Sequence, residues 1–351
     1  MFDVRPKILL DEYFPFLDGP RSGEFKKAGS EEKRKGSETS QGMSKHIYAT
    51  IQDEIAALKK ERNAVILAHN YQVGEIQDIA DFTGDSLRLA QEATKTSAEV
   101  ILFSGVHFMA ETASILCPDK KVIVPDLEAG CSLADMIRPE DIREWKAKHP
   151  EGVVVCYVNT SAAVKAESDY CCTSSNAEKV VRAIPEDKEI LFVPDFFLGT
   201  YVKEKTGRKN LELWRGYCPT HVMIQSHEID KLRAEHPAAE FLMHPECGCL
   251  TKSMHLADRI LSTEGMTRYV KESSAREFIV ATETGILHRM KKENPGKQFY
   301  PASEFAVCHY MKMNTLEKVV ESLENLQYEV KVPKELADRA RLPIERMIAI
   351  T

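Results

Sequence analysis

The chain has 351 residues, 43% of them hydrophobic and 29% charged, enough for two or three hydrophobic cores. Its 47 basic and 54 acidic side chains leave a formal net charge of −7, and no basic stripe is visible, so nucleic acid is excluded as an expected partner. Apolar runs are interrupted by Asn70, Asp126 or Asp195 before they reach the roughly 20 residues that span a bilayer, so no membrane association is expected.

In chain order, residues 1–45 stand apart. Met1 to Asp18 lacks the basic start and continuous apolar core of a secretory signal. Ser22 to Ser44 is rich in Gly, Ser, Lys and Glu, the composition of a partly disordered extension. Ile8-Leu9-Leu10 and Tyr13-Phe14-Pro15-Phe16 are its apolar groups, suited to a short surface-docked segment with no function assigned. Nine cysteines without an export signal point to a reducing cytoplasm, where thiols stay free for metals or catalysis.

A pattern then repeats three times. Its first copy opens on the apolar run Ala64-Val65-Ile66-Leu67-Ala68 and ends in the polar triplet His69-Asn70-Tyr71. Gly84-Asp85-Ser86 follows as a helix opening, and Val100-Ile101-Leu102-Phe103 as a second strand. The next copy runs Val153-Val154-Val155-Cys156, Tyr157-Val158-Asn159, Thr173-Ser174-Ser175-Asn176 and Ile190-Leu191-Phe192-Val193. The third runs Phe241-Leu242-Met243, His244-Pro245-Glu246, Ser262-Thr263-Glu264-Gly265 and Phe278-Ile279-Val280-Ala281. Short β-rich runs alternating with helical patterns predict βαβ units with buried parallel sheets. A period near 88 residues, read from triplet starts at 69, 157 and 244, is too long for a solenoid repeat.

The fold expected is therefore α/β, with three similar three-layer αβα domains in a pseudo-threefold triangular arrangement around a central active site. Their bounds read as 46–135 (joined by C-terminal helices within 310–351), 136–222 and 223–309. Ligands of open α/β sheets bind beyond the carboxyl ends of the strands, where all three triplets stand.

Each copy also closes on a cysteine: Cys131, Cys218 and Cys308, separated by 87 and 90 residues. These thiols read either as buried structural groups or as metal ligands, and spacing alone leaves both open. Pro219 after Cys218, and Ser132-Leu133 after Cys131, fit helix N-termini, which would lower the thiol pKa and favour the metal-binding thiolate. Three cysteines with no sequence-local fourth ligand disfavour structural zinc, and a [4Fe–4S] cluster with three protein-held irons fits better. Cys247-Gly248-Cys249 and Cys171-Cys172 have no counterpart in the other copies, and Cys117 and Cys156 read as core or loop residues.

Several segments resemble the quinolinate synthase family, which closes the pyridine ring in de novo NAD biosynthesis. They include ILAHNYQVGEIQDIADFTGDSLRLA, VPDLEAGCSLADM, CYVNTSAAVKAESDYCCTSSNA, GYCPTHVMI, HPECGCL, LSTEGM, ATETGILHRM and EFAVCHYMKMNTL, in order from about residue 48 onwards. The resemblance implies a cytoplasmic transferase that condenses iminoaspartate with dihydroxyacetone phosphate to quinolinate, releasing phosphate and water. It implies a [4Fe–4S] cluster on Cys131, Cys218 and Cys308 acting as Lewis acid, and a functional link to L-aspartate oxidase as the source of iminoaspartate.

Residue by residue, the resemblance implies that His69 and Tyr71 contact substrate and assist proton transfer. Glu246 is the expected general base, since carbon–carbon bond formation needs a proton taken from beside a carbonyl or imine. His221 and His244 are expected to position carboxylate or phosphate oxygens, and Tyr157 and Asn159 to hydrogen-bond the intermediate. Ser86, Ser174, Asn176, Ser262 and Thr263 are the expected anion holders, because helix N-termini offer free N–H donors and partial positive charge. Glu283 and Asp195 are expected to support the site from behind. Two other readings share the three-cysteine site: a [4Fe–4S] hydro-lyase acting on a hydroxy acid, and a cluster-based sensor without turnover.

Overall fold

Apolar strands covered on both faces need helices on either side, and the chain supplies them in the same order three times. The computed structural model describes residues 49–350. The extension expected at residues 1–45, with its apolar segments, lies outside the described residues.

The first unit comprises α1 (Ile51–Glu61), β1 (Ala64–His69), α2 (Gly74–Ile79), β2 (Phe82–Gly84), α3 (Ser86–Lys95), β3 (Val100–Ser104), α4 (His107–Leu116) and β4 (Lys121–Ile123). α5 (Pro139–Lys148) leads into the second unit, with β5 (Val153–Tyr157), α6 (Ala162–Glu167), β6 (Tyr170–Cys172), α7 (Ala177–Ala183), β7 (Ile190–Val193), α8 (Phe196–Thr206) and β8 (Leu211–Leu213). After α9 (Pro219–Val222) and α10 (Ser226–Glu235) come β9 (Glu240–Met243), α11 (Leu250–Ser253), β10 (Arg259–Ile260), α12 (Thr263–Glu272), β11 (Glu277–Ala281), α13 (Ile286–Glu293) and β12 (Gln298–Pro301). α14 (Leu316–Asn325) and α15 (Lys334–Ala349) complete the chain.

The strands form three parallel four-stranded sheets of one topology, β2-β1-β3-β4, β6-β5-β7-β8 and β10-β9-β11-β12. All six apolar runs read from the sequence are central strands. Their register is regular: Ala64 to Ala68 pair residue for residue with Val100 to Ser104. Ile66, Leu67, Phe192 and Phe241 are fully buried, each burial contributing roughly 2–3 kcal/mol of hydrophobic stabilisation. Helix ends follow their local chemistry. Thr50 caps α1 by accepting from the Asp53 N–H at 3.1 Å, with Asp53 and Glu54 in its first turn and Lys59 and Lys60 in its last, complementing the helix dipole.

This strand order places a topological switch point in every sheet, between β1 and β3, β5 and β7, and β9 and β11. The crevice beyond the strand ends opens there. Each triplet follows the first strand of its switch pair.

Polar contacts join the units near these ends. Asn70 Nδ2 donates to Thr263 Oγ1 at 2.9 Å. Arg289 donates to Asn70 Oδ1 at 3.0 Å and to Glu264 Oε2 at 2.8 Å, and Arg88 pairs with the same Glu264. α14 packs on α1 and β3, whereas α15 lies on α6 and β6 of the second unit and on α4 of the first. Among the described residues no helix is long and apolar enough to cross a membrane.

Candidate active site

At the end of β1, His69 and Tyr71 turn inward and are buried, their rings meeting edge-on at 4.6 Å between centroids. The Tyr71 hydroxyl lies 2.5 Å from Thr282 Oγ1, just past β11, and 3.3 Å from His221 Nε2. His221 Nε2 is in turn 2.9 Å from Thr282 Oγ1. The other ring nitrogen, Nδ1, faces Cys218 Sγ at 3.1 Å and Glu246 Oε2 at 3.1 Å. His244 stacks on His221 at 5.0 Å and reaches Ser174 Oγ through Nε2 at 3.2 Å. One polar chain thus runs through all three units.

Burial sets the charge states along it. Desolvation lowers His221 and His69 to about 3, the latter helped by the Lys312 and His221 charges. It also holds His244 well below its ordinary value. All three imidazoles are neutral at pH 7. Burial raises Glu246 to about 7, while a hydrogen bond from Tyr157 pulls it back down. The His221–Glu246 contact has ion-pair spacing, but both side chains are nearly inaccessible and both shifts disfavour charge. It is therefore a close polar contact between a neutral imidazole and a carboxyl that is about half-ionised at pH 7, not an ion pair. Tyr157 is likewise pushed well above its usual range, first by burial and then by Glu246.

Asn159 carries a buried Oδ1 with no hydrogen-bond partner, the state of an acceptor facing a ligand site.

Three helix starts meet beside this array. Asp85 caps α3 through the Arg88 N–H at 2.9 Å and also accepts from Ser175 Oγ at 2.8 Å. Ser175 Oγ lies 2.8 Å from Ser262 Oγ, the cap of α12. Ser262 and Thr263 lie at this junction, Ser86 opens α3 beside Asp85, and Ser174 is carried to His244 by the neighbouring backbone.

Asn176 departs from expectation. Its Nδ2 donates to Met347 O and Ile350 O at 2.8 Å each, and its Oδ1 accepts from the Thr173 N–H at 2.8 Å. The amide is occupied in anchoring the end of α15, which leaves it no free donor for an anion. Asp85, Ser175 and Thr282 were not singled out in the sequence. Aligning the three copies on their cap residues, rather than on the nearest serine, would have drawn attention to Asp85.

Cys131, Cys218 and Cys308 lie past the carboxyl ends of the three sheets and share one local geometry. In each, the backbone N–H three residues on, of Ala134, His221 or Met311, lies near the sulfur and pulls the thiol pKa down. Cys218 heads α9, a four-residue helix, as expected; Cys131 precedes a single 3-10 turn rather than a longer helix, and Cys308 likewise precedes a 3-10 turn. The expected acidification is also overturned. Burial raises Cys131 to about 12, Cys218 well above its usual value and Cys308 upward, outweighing the N–H donors. Desolvating a thiolate costs more than one short turn returns, so metal binding here must displace a thiol proton.

The thiols are mutual neighbours: Cys218 feels the charges of both Cys131 and Cys308, and Cys131 feels that of Cys308. They are also the three half-buried cysteines of the nine; the other six are buried. Cys218, His221 and Glu246 offer a second donor set that could hold a metal ion, their ligand atoms lying within 4.8 Å of one another.

Carboxylates support two of the cysteine loops. Asp195, two residues past β7, is fully buried, caps α8 through the Leu198 N–H at 2.7 Å and pairs with Gly216, two residues before Cys218, in an isolated parallel bridge. Glu283, two residues past β11, accepts from the Cys308 N–H at 3.1 Å and pairs with Lys312 at 2.7 Å. Gly216 shapes the approach to Cys218, since a Cβ there would stand 2.4 Å from Pro194 O.

Three repeated α/β units, each delivering a thiol and polar groups from its switch point to one buried site, define an enzyme whose chemistry is assembled between units. Comparison with known proteins names the family. A family model described as "NadA: Quinolinate synthetase A protein" matches residues 53–349. The quinolinate synthase of Thermus thermophilus is 58% identical over 299 residues, covering 85% of this chain and 96% of its own. That of Pyrobaculum aerophilum is 54% identical over 303 residues, 85% and 98% of the two chains. That of Methanosarcina barkeri is 51% identical over 302 residues, 86% and 98%. The chain belongs to the quinolinate synthase family, enzymes of NAD biosynthesis.

Proposed function

We propose that the protein condenses iminoaspartate with dihydroxyacetone phosphate, releasing phosphate and water to give quinolinate. The observation that carries this reading is the placement of three half-buried cysteines, one from each unit, beside the buried Glu246–His221–Tyr71 array. A donor set of three thiolates suits a [4Fe–4S] cluster held by Cys131, Cys218 and Cys308, which fits the three matching turns. When bound, such a group supplies an open Lewis-acid iron for a substrate oxygen.

The protein's own groups account for the remaining work. Glu246, poised near neutrality, takes the proton that carbon–carbon bond formation requires, with Tyr157 hydrogen-bonded to its carboxylate. Neutral His69, His221 and His244 donate or accept without adding charge. Tyr71 orients a substrate oxygen, and Asn159 offers its free Oδ1 to a substrate donor. Ser86, Ser174, Ser262 and Thr263 hold carboxylate and phosphate oxygens at the converging helix starts. We take the units to span 46–135, 136–222 and 223–309, with 310–351 counted with the first although α15 also covers the second. We further infer a cytoplasmic enzyme supplied with iminoaspartate by L-aspartate oxidase.

The test is an anaerobic quinolinate assay paired with metal analysis. Purified protein should carry about four iron and four sulfide per chain, the count of the cluster type. Cys131→Ser, Cys218→Ser and Cys308→Ser should each lose it, and Cys249→Ser should keep it. Retained iron in all three single variants would remove the cluster assignment. Iron with no quinolinate would turn the reading towards a hydro-lyase or a sensor.

A further inference from the structure

The triplet loops carry the site residues, and each of the first two keeps one bond to the neighbouring strand, Asn70 N–H to Gly84 O at 3.0 Å and Val158 N–H to Cys172 O at 2.8 Å, before the ladder ends. In these two units one side chain supplies the restraint beyond that point, from the same place in the repeat. Gln77, on α2, donates through Nε2 to Asn70 O at 3.1 Å and to Gln72 O at 2.8 Å. Lys165, on α6, donates through Nζ to Val158 O at 2.8 Å and also to Thr160 O. Both donors stand eight residues after the first member of their triplet, His69 or Tyr157. Both bind the carbonyls of the second and fourth loop positions. The third member lies between those carbonyls: Tyr71 in one unit, Asn159 in the other.

Neither donor is there by default. Lys165 is fully buried, and its contacts are carbonyl oxygens and the Phe108 ring, 5.3 Å from Nζ to the centroid, rather than a carboxylate. An ammonium removed from water is costly unless dipoles replace its hydration, and here the loop carbonyls do so. Gln77 keeps its Oε1 buried without a partner while Nε2 meets the loop carbonyls and Gly285 O at 2.8 Å. That site selects for donation alone. In the third unit the same offset carries Lys252, whose side chain is exposed.

We propose that Gln77 and Lys165 are equivalent positioning residues, hydrogen-bond clamps that fix the triplet loops and so aim Tyr71 and Asn159 into the site. The catalytic part rests on the function proposed above; the structural part does not. The equivalence makes a specific demand: the two donors should be interchangeable in kind, while removal of the donor should free the loop.

The experiment compares Lys165→Met, Lys165→Gln, Gln77→Leu and Gln77→Lys in the iron-loaded protein, by amide hydrogen exchange over residues 157–161 and 69–73 and by steady-state kinetics. Lys165→Met should raise exchange in its own loop about tenfold or more and lower kcat/KM by about tenfold or more, chiefly through KM, with iron content unchanged. Gln77→Leu should do the same in the first unit. Lys165→Gln and Gln77→Lys should recover both quantities to within about fivefold. Exchange and kcat/KM within about twofold of the unsubstituted protein in Lys165→Met would overturn the clamp. If Lys165→Met does not fold, the donor swaps decide: protection kept supports the proposal, and protection lost in both ends it. Should the unsubstituted protein make no quinolinate while Lys165→Met still loosens its loop, the assigned reaction fails and the clamp stands.

Discussion

Glu246 illustrates how a single side chain is tuned by what surrounds it. The His244-Pro245-Glu246 motif identifies a carboxylate beyond a strand, but only enclosure raises it to about 7, where it can exchange a proton at physiological pH. Glu246→Gln keeps the shape and the oxygen acceptor while removing the base. We expect turnover to fall about 10²–10⁴-fold with iron content unchanged, measured by anaerobic assay and metal analysis. A near-normal rate would exclude Glu246 as the base. The cysteines teach the converse lesson. Their neighbours in sequence suggest acidic thiols, yet burial raises all three, because a local turn cannot offset the loss of water. Asn176 is held by tertiary contacts of the same kind: its side-chain amide meets the end of α15 and Ile350 just beyond, more than 170 residues away, where no local pattern points.

At the scale of elements, β-strands and helix starts were legible because their determinants are local. Continuous Val, Ile, Leu and Phe runs became central parallel strands, and Asp85 and Ser262 became caps. The 3-10 turns after Cys131 and Cys308 were less legible, since a single turn leaves no periodicity to read. How the connections bear on the site is clearest at Gly216. Its N–H bonds Pro194 O at 3.0 Å and its carbonyl accepts from Phe196 at 2.8 Å, fixing the segment that leads to Cys218. A methyl group would enter the space of Pro194 O. Gly216→Ala should therefore push this segment outward, costing about 1–3 kcal/mol and lowering the melting temperature by several degrees. Iron retention should fall with it, since Cys218 is displaced. An unchanged melting temperature and full iron content would mean that the segment has room to move.

For the molecule as a whole, neutral histidines held inside the fold couple stability to acidity. His69 falls to about 3, through burial first and the Lys312 charge next, and His244 lies well below its ordinary value for the same leading reason. In the unfolded chain both titrate near 6.5. The folded state therefore has its full advantage above pH 6.5 and loses it as the pH falls from there towards 3, because only the unfolded chain takes up protons in that window. At pH 5 the loss is about 2 kcal/mol for His69, and His244 adds to it in the same direction. Denaturation of the iron-free protein at pH 7 and pH 5 should show that decrease; a flat profile would mean that water reaches both imidazoles.

The sequence by itself determined the strands, the threefold repeat and the switch-point triplets, and marked Cys131, Cys218 and Cys308 by their even spacing, because hydrophobic period, cap chemistry and spacing are written locally. Tertiary structure decided which groups meet: Tyr71 with Thr282 and His221, Ser175 with Asp85 and Ser262, Glu283 with the Cys308 backbone. It also decided their protonation, since desolvation depends on everything packed around a group rather than on its neighbours in the chain.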